Sequence, residues 1–220
     1  MKFYVLVNSM GHEGAAATDF LPVDGSKTGE AARCSTCGRY LGLLPLLPPV
    51  RVELDTWGTE YGDIAFGPGE ELLISERFWK LYGSAGLIGL IDVNMVELKK
   101  LTPHQKLHEP TPNYYCCRII RSNAVVDYRK SGLILDEPST CQECRLGGIV
   151  KRIDRIVLEP DSWSGEDIFL ARGLPGVILT SRKFVQCCED NGVSNCKLIP
   201  ADAFSFDFYP WEKGRDSADR

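Results

Sequence analysis

What the chain lacks narrows it first. It has no long apolar run. The stretch after Lys2 extends only from Phe3 to Val7, shorter than the core of a secretory signal, and "LGLLPLLPPV" is broken by prolines far short of a membrane span. A cytoplasmic protein that does not enter a bilayer is the expectation. An excess of positive charge is also missing. Lys and Arg number 25 against 30 Asp and Glu, a formal balance of -5, so no broad field draws in phosphates and nucleic acid is a disfavoured partner. Glycines in "GPGEE" and "LGGIV" lack the spacing of a phosphate-cradling loop, and ordinary turns explain them. Histidine is scarce: His12, His104 and His108. "HQKLH" sets two imidazoles four residues apart, but Pro103 and Pro110 bracket it and no third ligand accompanies it, so a polar loop is expected there.

What is present in quantity is cysteine. At 220 residues with 44% apolar content the chain can bury a sizeable core, and it is too large to need a disulfide framework. The nine cysteines are an odd number, and reduced thiols are the expectation. Two pairs stand out: "CSTCG" (Cys34, Cys37) and "CQECR" (Cys141, Cys144). A single CxxC supplies two thiolates, whereas a structural zinc ion takes four ligands in a tetrahedron. Two pairs satisfy it. The first has a glycine to ease the bend after its second cysteine; the second has none, which predicts a different turn. Between Cys37 and Cys141 lie 103 residues, so only the fold can bring the pairs together. A redox CxxC wants its first thiol at a helix start, and "GLLPLLPP" after Cys37 does not look helical. A structural Zn2+ held by Cys34, Cys37, Cys141 and Cys144 is therefore expected, with no position left for water.

The remaining cysteines are read through a repeat. "DIAFGPGEELLISERFWKLYGSAGLIGL" from Asp63 lies over "DIFLARGLPGVILTSRKFVQCCEDNGVSNC" from Asp167, with two extra residues in the second loop. Ser75 meets Ser181, Phe78 meets Phe184, Leu81 and Tyr82 meet Cys187 and Cys188, and Gly86 meets Gly192. Each copy predicts strand, serine-capped helix, then a left-handed glycine stop and a second strand. Cys187 and Cys188 are expected in the core because they replace Leu81 and Tyr82. Cys116 and Cys117 are adjacent in "YYCCRII", a predicted strand, and so face opposite sides with at least one buried. No role is assigned to Cys196. Strands are also predicted in "KFYVLV", "NAVVDY", "GLILD" and "IVKRIDRIVL".

The fold expected is α+β and strand-rich, with two similar strand-helix-strand halves and a zinc-knuckle pair. The halves are 1–110 and 111–209, packed as one compact unit, and 210–220 is a frayed tail. Acidic residues gather at Glu53, Asp55, Glu60, Asp63, Glu70 and Glu71 and again at Glu159, Asp161, Glu166 and Asp167. Such charges form a solvated face by default and, in a binder, a surface that attracts a basic partner. Trp57, Tyr61, Trp79 and Trp163 are candidate anchors or core residues.

In order and spacing, "CSTCGRY", "FGPGEELLISERFWKLYGSAGLIGL", "CQEC" and "DIFLARGLPGVILTSRKFV" resemble the double-CXXCG-motif proteins of myxobacteria. The chain departs from them in lacking a glycine after Cys144 and in its start, which leaves a sister family of toxin-neutralising proteins open. The resemblance implies an immunity protein with a cognate toxin as partner, and the residues themselves assemble no catalytic constellation. The alternatives are a zinc-ribbon adaptor contacting nucleic acid or protein through Arg33, Arg39, Arg145, Lys151, Arg152 and Arg155, and a thiol-dependent enzyme with a low-pKa cysteine.

Overall fold

The structure is a computed structural model that describes residues 1–8 and 16–208. His12 and the tail from 210 lie outside the described residues. Along the chain come β1 (Phe3–Val7), β2 (Thr18–Pro22), β3 (Val50–Thr56), β4 (Ile64–Phe66), β5 (Glu71–Ser75) and α1 (Glu76–Ser84). Then follow β6 (Leu90–Pro103), β7 (Tyr114–Ile119), β8 (Arg121–Val125), α2 (Tyr128–Ser131), β9 (Ile134–Leu135) and β10 (Val150–Ile153). The last are β11 (Ile168–Arg172), β12 (Ile178–Ser181), α3 (Arg182–Asp190), β13 (Lys197–Pro200) and β14 (Phe206–Asp207).

Strands dominate, as expected, and they close further than the sequence suggested. β2, β3, β6, β7, β5 and β4 form a closed six-stranded barrel, with β3–β6 and β2–β4 parallel and the other pairs antiparallel. Period-two alternation explains its filling. Along β3, Val50, Val52, Leu54 and Thr56 are buried while the residues between them are not, and the first three meet Phe20, Leu73 and Cys116 inside the barrel. β13, β1, β12, β11 and β8 form an open sheet of five strands. Its Leu6, Ile168, Leu170 and Ile178 face the barrel wall at Leu72, Ile74 and Cys117, and Val5, Phe169, Ala171 and Leu179 face a second core.

Cys116 and Cys117 thus point to opposite sides, and both are buried. Three predicted strands are shorter than the sequence suggests. "NAVVDY" ends as strand at Val125 because Asp127 caps α2, and β9 and β10 keep only parts of "GLILD" and "IVKRIDRIVL". The long strand β6 had no clear signal, since its apolar residues are spread among charges.

The two helical units share their local construction. Ser75 and Ser181 each cap a helix, accepting from Phe78 N at 3.1 Å and Phe184 N at 3.2 Å. Each serine donates in turn to an aspartate, Asp63 at 2.7 Å and Asp167 at 2.6 Å. Those aspartates then reach into the other unit: Asp63 accepts from Ser194 N at 2.9 Å, and Asp167 accepts from Ile88 N at 3.1 Å. Arg77, ion-paired with Asp63, donates to Asn191 O at 3.0 Å, while Lys183, 3.6 Å from Asp167, donates to Gly86 O at 2.6 Å. Gly86 and Gly192 both stop their helices at positive φ, 59° and 57°. Phe78 and Phe184 meet edge to face with ring centres 6.0 Å apart, and burying each contributes about 2 to 3 kcal/mol. Cys187 and Cys188 pack in this same core.

Strand pairing also crosses between the units. β1, at the amino end, pairs with β12 and β13, and β7 pairs with β5 and β6. The barrel has no closed counterpart in the five-stranded sheet.

Candidate metal centre

The first knuckle sits at the tip of an irregular hairpin between β2 and β3. Leu41 N donates to Ala32 O at 2.8 Å and Gly29 N to Pro45 O at 2.8 Å, and Arg33 bridges Tyr40. At the turn Gly38 N bonds Cys34 O at 2.9 Å, with Gly38 at φ 71°. The second knuckle lies between β9 and β10, where Arg145 N bonds Cys141 O at 3.0 Å. It turns the same way, contrary to expectation. Arg145 takes the glycine's place at φ 55°, a left-handed conformation that costs a non-glycine residue about 1 kcal/mol. Its neighbours hold it there: Arg145 Nη1 is 2.6 Å from Glu159, and the Tyr128 hydroxyl bonds the Arg145 carbonyl.

The four sulfurs that the sequence singled out converge. All lie within 4.8 Å of one another, with Cys34 Sγ to Cys141 Sγ at 3.8 Å and Cys37 Sγ to Cys144 Sγ at 3.7 Å. A tetrahedron with metal–sulfur bonds of about 2.3 Å has edges of about 3.8 Å, so the set fits one ion. None of the cysteines is in a disulfide. Backbone N–H groups prepare the thiolates: that of Cys37 is the main cause drawing the Cys34 thiol down to about 6, and that of Cys144 is the main cause lowering Cys141. The second cysteine of each knuckle moves the other way. For Cys37 the Arg39 N–H favours the thiolate, but burial and the thiols of Cys141 and Cys34 outweigh it, while burial pushes Cys144 up to about 12. Sulfur atoms this close repel as anions, and a divalent cation between them removes that repulsion.

Side chains outside the motifs lock the loops together. Arg39 of the first loop donates to Leu146 O at 3.0 Å and Gly147 O at 2.7 Å of the second. Arg172 of β11 donates to Glu143 O at 2.5 Å and Gln142 O at 3.2 Å. Sequence reading missed both roles, because an arginine bonded to distant carbonyls leaves no spacing signal. A cavity of about 230 Å³ beside the knuckles is walled partly by Arg33, Arg121 and Arg172. Arg121 is paired with Glu70 and Arg172 with Glu143. Of the proposed basic stripe, Arg145 and Arg152 are ion-paired and the Arg39 donors are occupied by carbonyls, so half of the stripe is already engaged within the chain.

Four of the other five thiols are held protonated. Burial raises Cys116 to about 12 and also raises Cys117 and Cys187, and a bond with Cys196 together with burial raises Cys188. His104 and His108 are exposed in the irregular segment after β6, as the bracketing prolines suggested. No helix among the described residues is long and apolar enough to cross a membrane.

A search of curated proteins returned no match to the chain. A family described as Immunity protein family (Imm11) matches residues 72–203. The matched span runs from β5 past β13 and holds Cys141 and Cys144, while Cys34 and Cys37 precede it.

Proposed function

Because the chain belongs to the Imm11 immunity protein family, we propose that it binds and neutralises a cognate bacterial toxin, and that Cys34, Cys37, Cys141 and Cys144 hold a structural zinc ion. The observation that carries the reading is the family match over 72–203, which spans all three helices and most of the strands. Neutralisation by occlusion needs complementarity of surface and no chemistry of its own, so the chain acts as a binder and not as an enzyme. It does so in the cytoplasm of a cell exposed to toxin from its kin, the setting that the double-CXXCG resemblance implies. Zinc ties the two knuckle loops and, with four thiolates around it, has no open position for substrate. The reading of two similar halves, divided near residue 110, rests on the paired caps and aspartates at Asp63 and Asp167.

The test is co-expression. The toxin encoded beside this chain's gene should kill cells alone and spare them when this chain is present, and the two should co-elute in equal amounts. Killing that continues unchanged, with no complex, removes the reading. Metal analysis of the purified chain should find one zinc per molecule.

A further inference from the structure

We propose that the lip of the barrel around Trp57 is the surface that meets the toxin, and that it fits a basic face of that partner; this rests on the toxin-binding reading above. β3 and β6 leave the barrel side by side, with Thr56 paired to Pro103. The segments beyond them stay together: His104 N donates to Thr56 O at 2.8 Å, His108 N to Thr59 O at 3.2 Å, and the hydroxyls of Tyr61 and Thr111 lie 2.7 Å apart. On this lip the Trp57 ring stacks on His104, with ring centres 3.7 Å apart and planes within 7°. His104 Nε2 is fixed by Asp55 Oδ1 at 2.6 Å.

The result is a large amphipathic ring, 47% exposed yet held in one orientation. Such a ring loses little freedom on binding, which is what an interface anchor requires. Charge selects the partner. On the barrel wall nearby, acids are neutralised in pairs, Glu53 with Lys100 and Glu97 with Arg51. On the lip, Glu60 and Glu109 are exposed and have no ion-pair partner among the described residues, and Lys106 is the one lysine or arginine from 103 to 111. Unpaired carboxylates on the same two segments as a fixed tryptophan match a cationic surface around an apolar pocket, and they speed encounter with it. A competing surface exists on the first knuckle hairpin, where Leu43, Leu44 and Leu47 are exposed. Its charges, Lys27, Arg33 and Arg39 against Asp24 and Glu30, lean positive and suit a basic partner less well.

The experiment measures binding of an inactivated form of the toxin encoded beside this chain's gene to the full chain and to three variants, each checked for an unchanged melting temperature. Trp57→Ala should weaken affinity by about 30-fold or more. Glu60→Lys with Glu109→Lys should slow association about tenfold at low salt and flatten its salt dependence. Leu43→Ser with Leu44→Ser should bind like the wild type. If the wild type binds and the Trp57 and glutamate variants match it, the lip is not the interface while toxin binding stands; loss of binding in the leucine variant alone places the interface on the hairpin. If the wild type does not bind, both readings fall.

Discussion

Asp63 is the residue whose contacts are least replaceable. It is 5% exposed and receives Ser75, Arg77 and Ser194. Burial alone would raise its pKa, but Arg77, the Ser194 N–H and the Ser75 hydroxyl together hold it below the ordinary carboxylate value. Asp63→Asn keeps the shape and removes the charge, and should cost about 2 kcal/mol in urea unfolding. The sign with pH follows from the lowered folded pKa. The extra stability is present above the unfolded value near ~3.9 and is lost as pH falls through the folded one. The gap between wild type and variant should therefore be full at neutral pH and shrink below about pH 4; a constant gap would refute the assignment. Arg145 gives a second comparison. Arg145→Ala and Arg145→Gly both lose the Glu159 pair, but only glycine relieves the positive φ, so the glycine variant should be more stable by about 1 kcal/mol in the same measurement.

The knuckle loops are held by few backbone bonds of their own, so the ion proposed between them carries much of their order. Cys144→Ser should abolish tight zinc binding in a chelator competition and lower stability by about 3 kcal/mol, near 10 °C in melting temperature for a chain this size. The strands of the barrel and sheet should survive in circular dichroism, while limited proteolysis speeds up within 23–49 and 136–149. Resistance unchanged on metal removal would show that Arg39 and Arg172 suffice. The four clustered cysteines were legible because CxxC is a local pattern, and so were the caps and stops, since Ser75, Ser181, Gly86 and Gly192 act within one helical turn. The Arg145 turn was not legible, because a bond to Glu159 and a tyrosine on the carbonyl hold it there from outside the loop.

For the whole molecule, the sequence pointed to strand content and paired helical units, but not to closure of the barrel. Closure depends on β3 lying parallel to β6 and β2 parallel to β4, and parallel contacts between distant segments leave no trace in local alternation. Nor could periodicity place β1. "FYVLV" reads as a strand, yet its partners are β12 and β13.

That placement bears on synthesis. β1 docks between β12 and β13, which are made far later, so Phe3–Val7 waits without its neighbours until residue 200 has emerged. A nascent chain halted short of that point carries an unpaired apolar segment, open to chaperones or to misassociation with other chains.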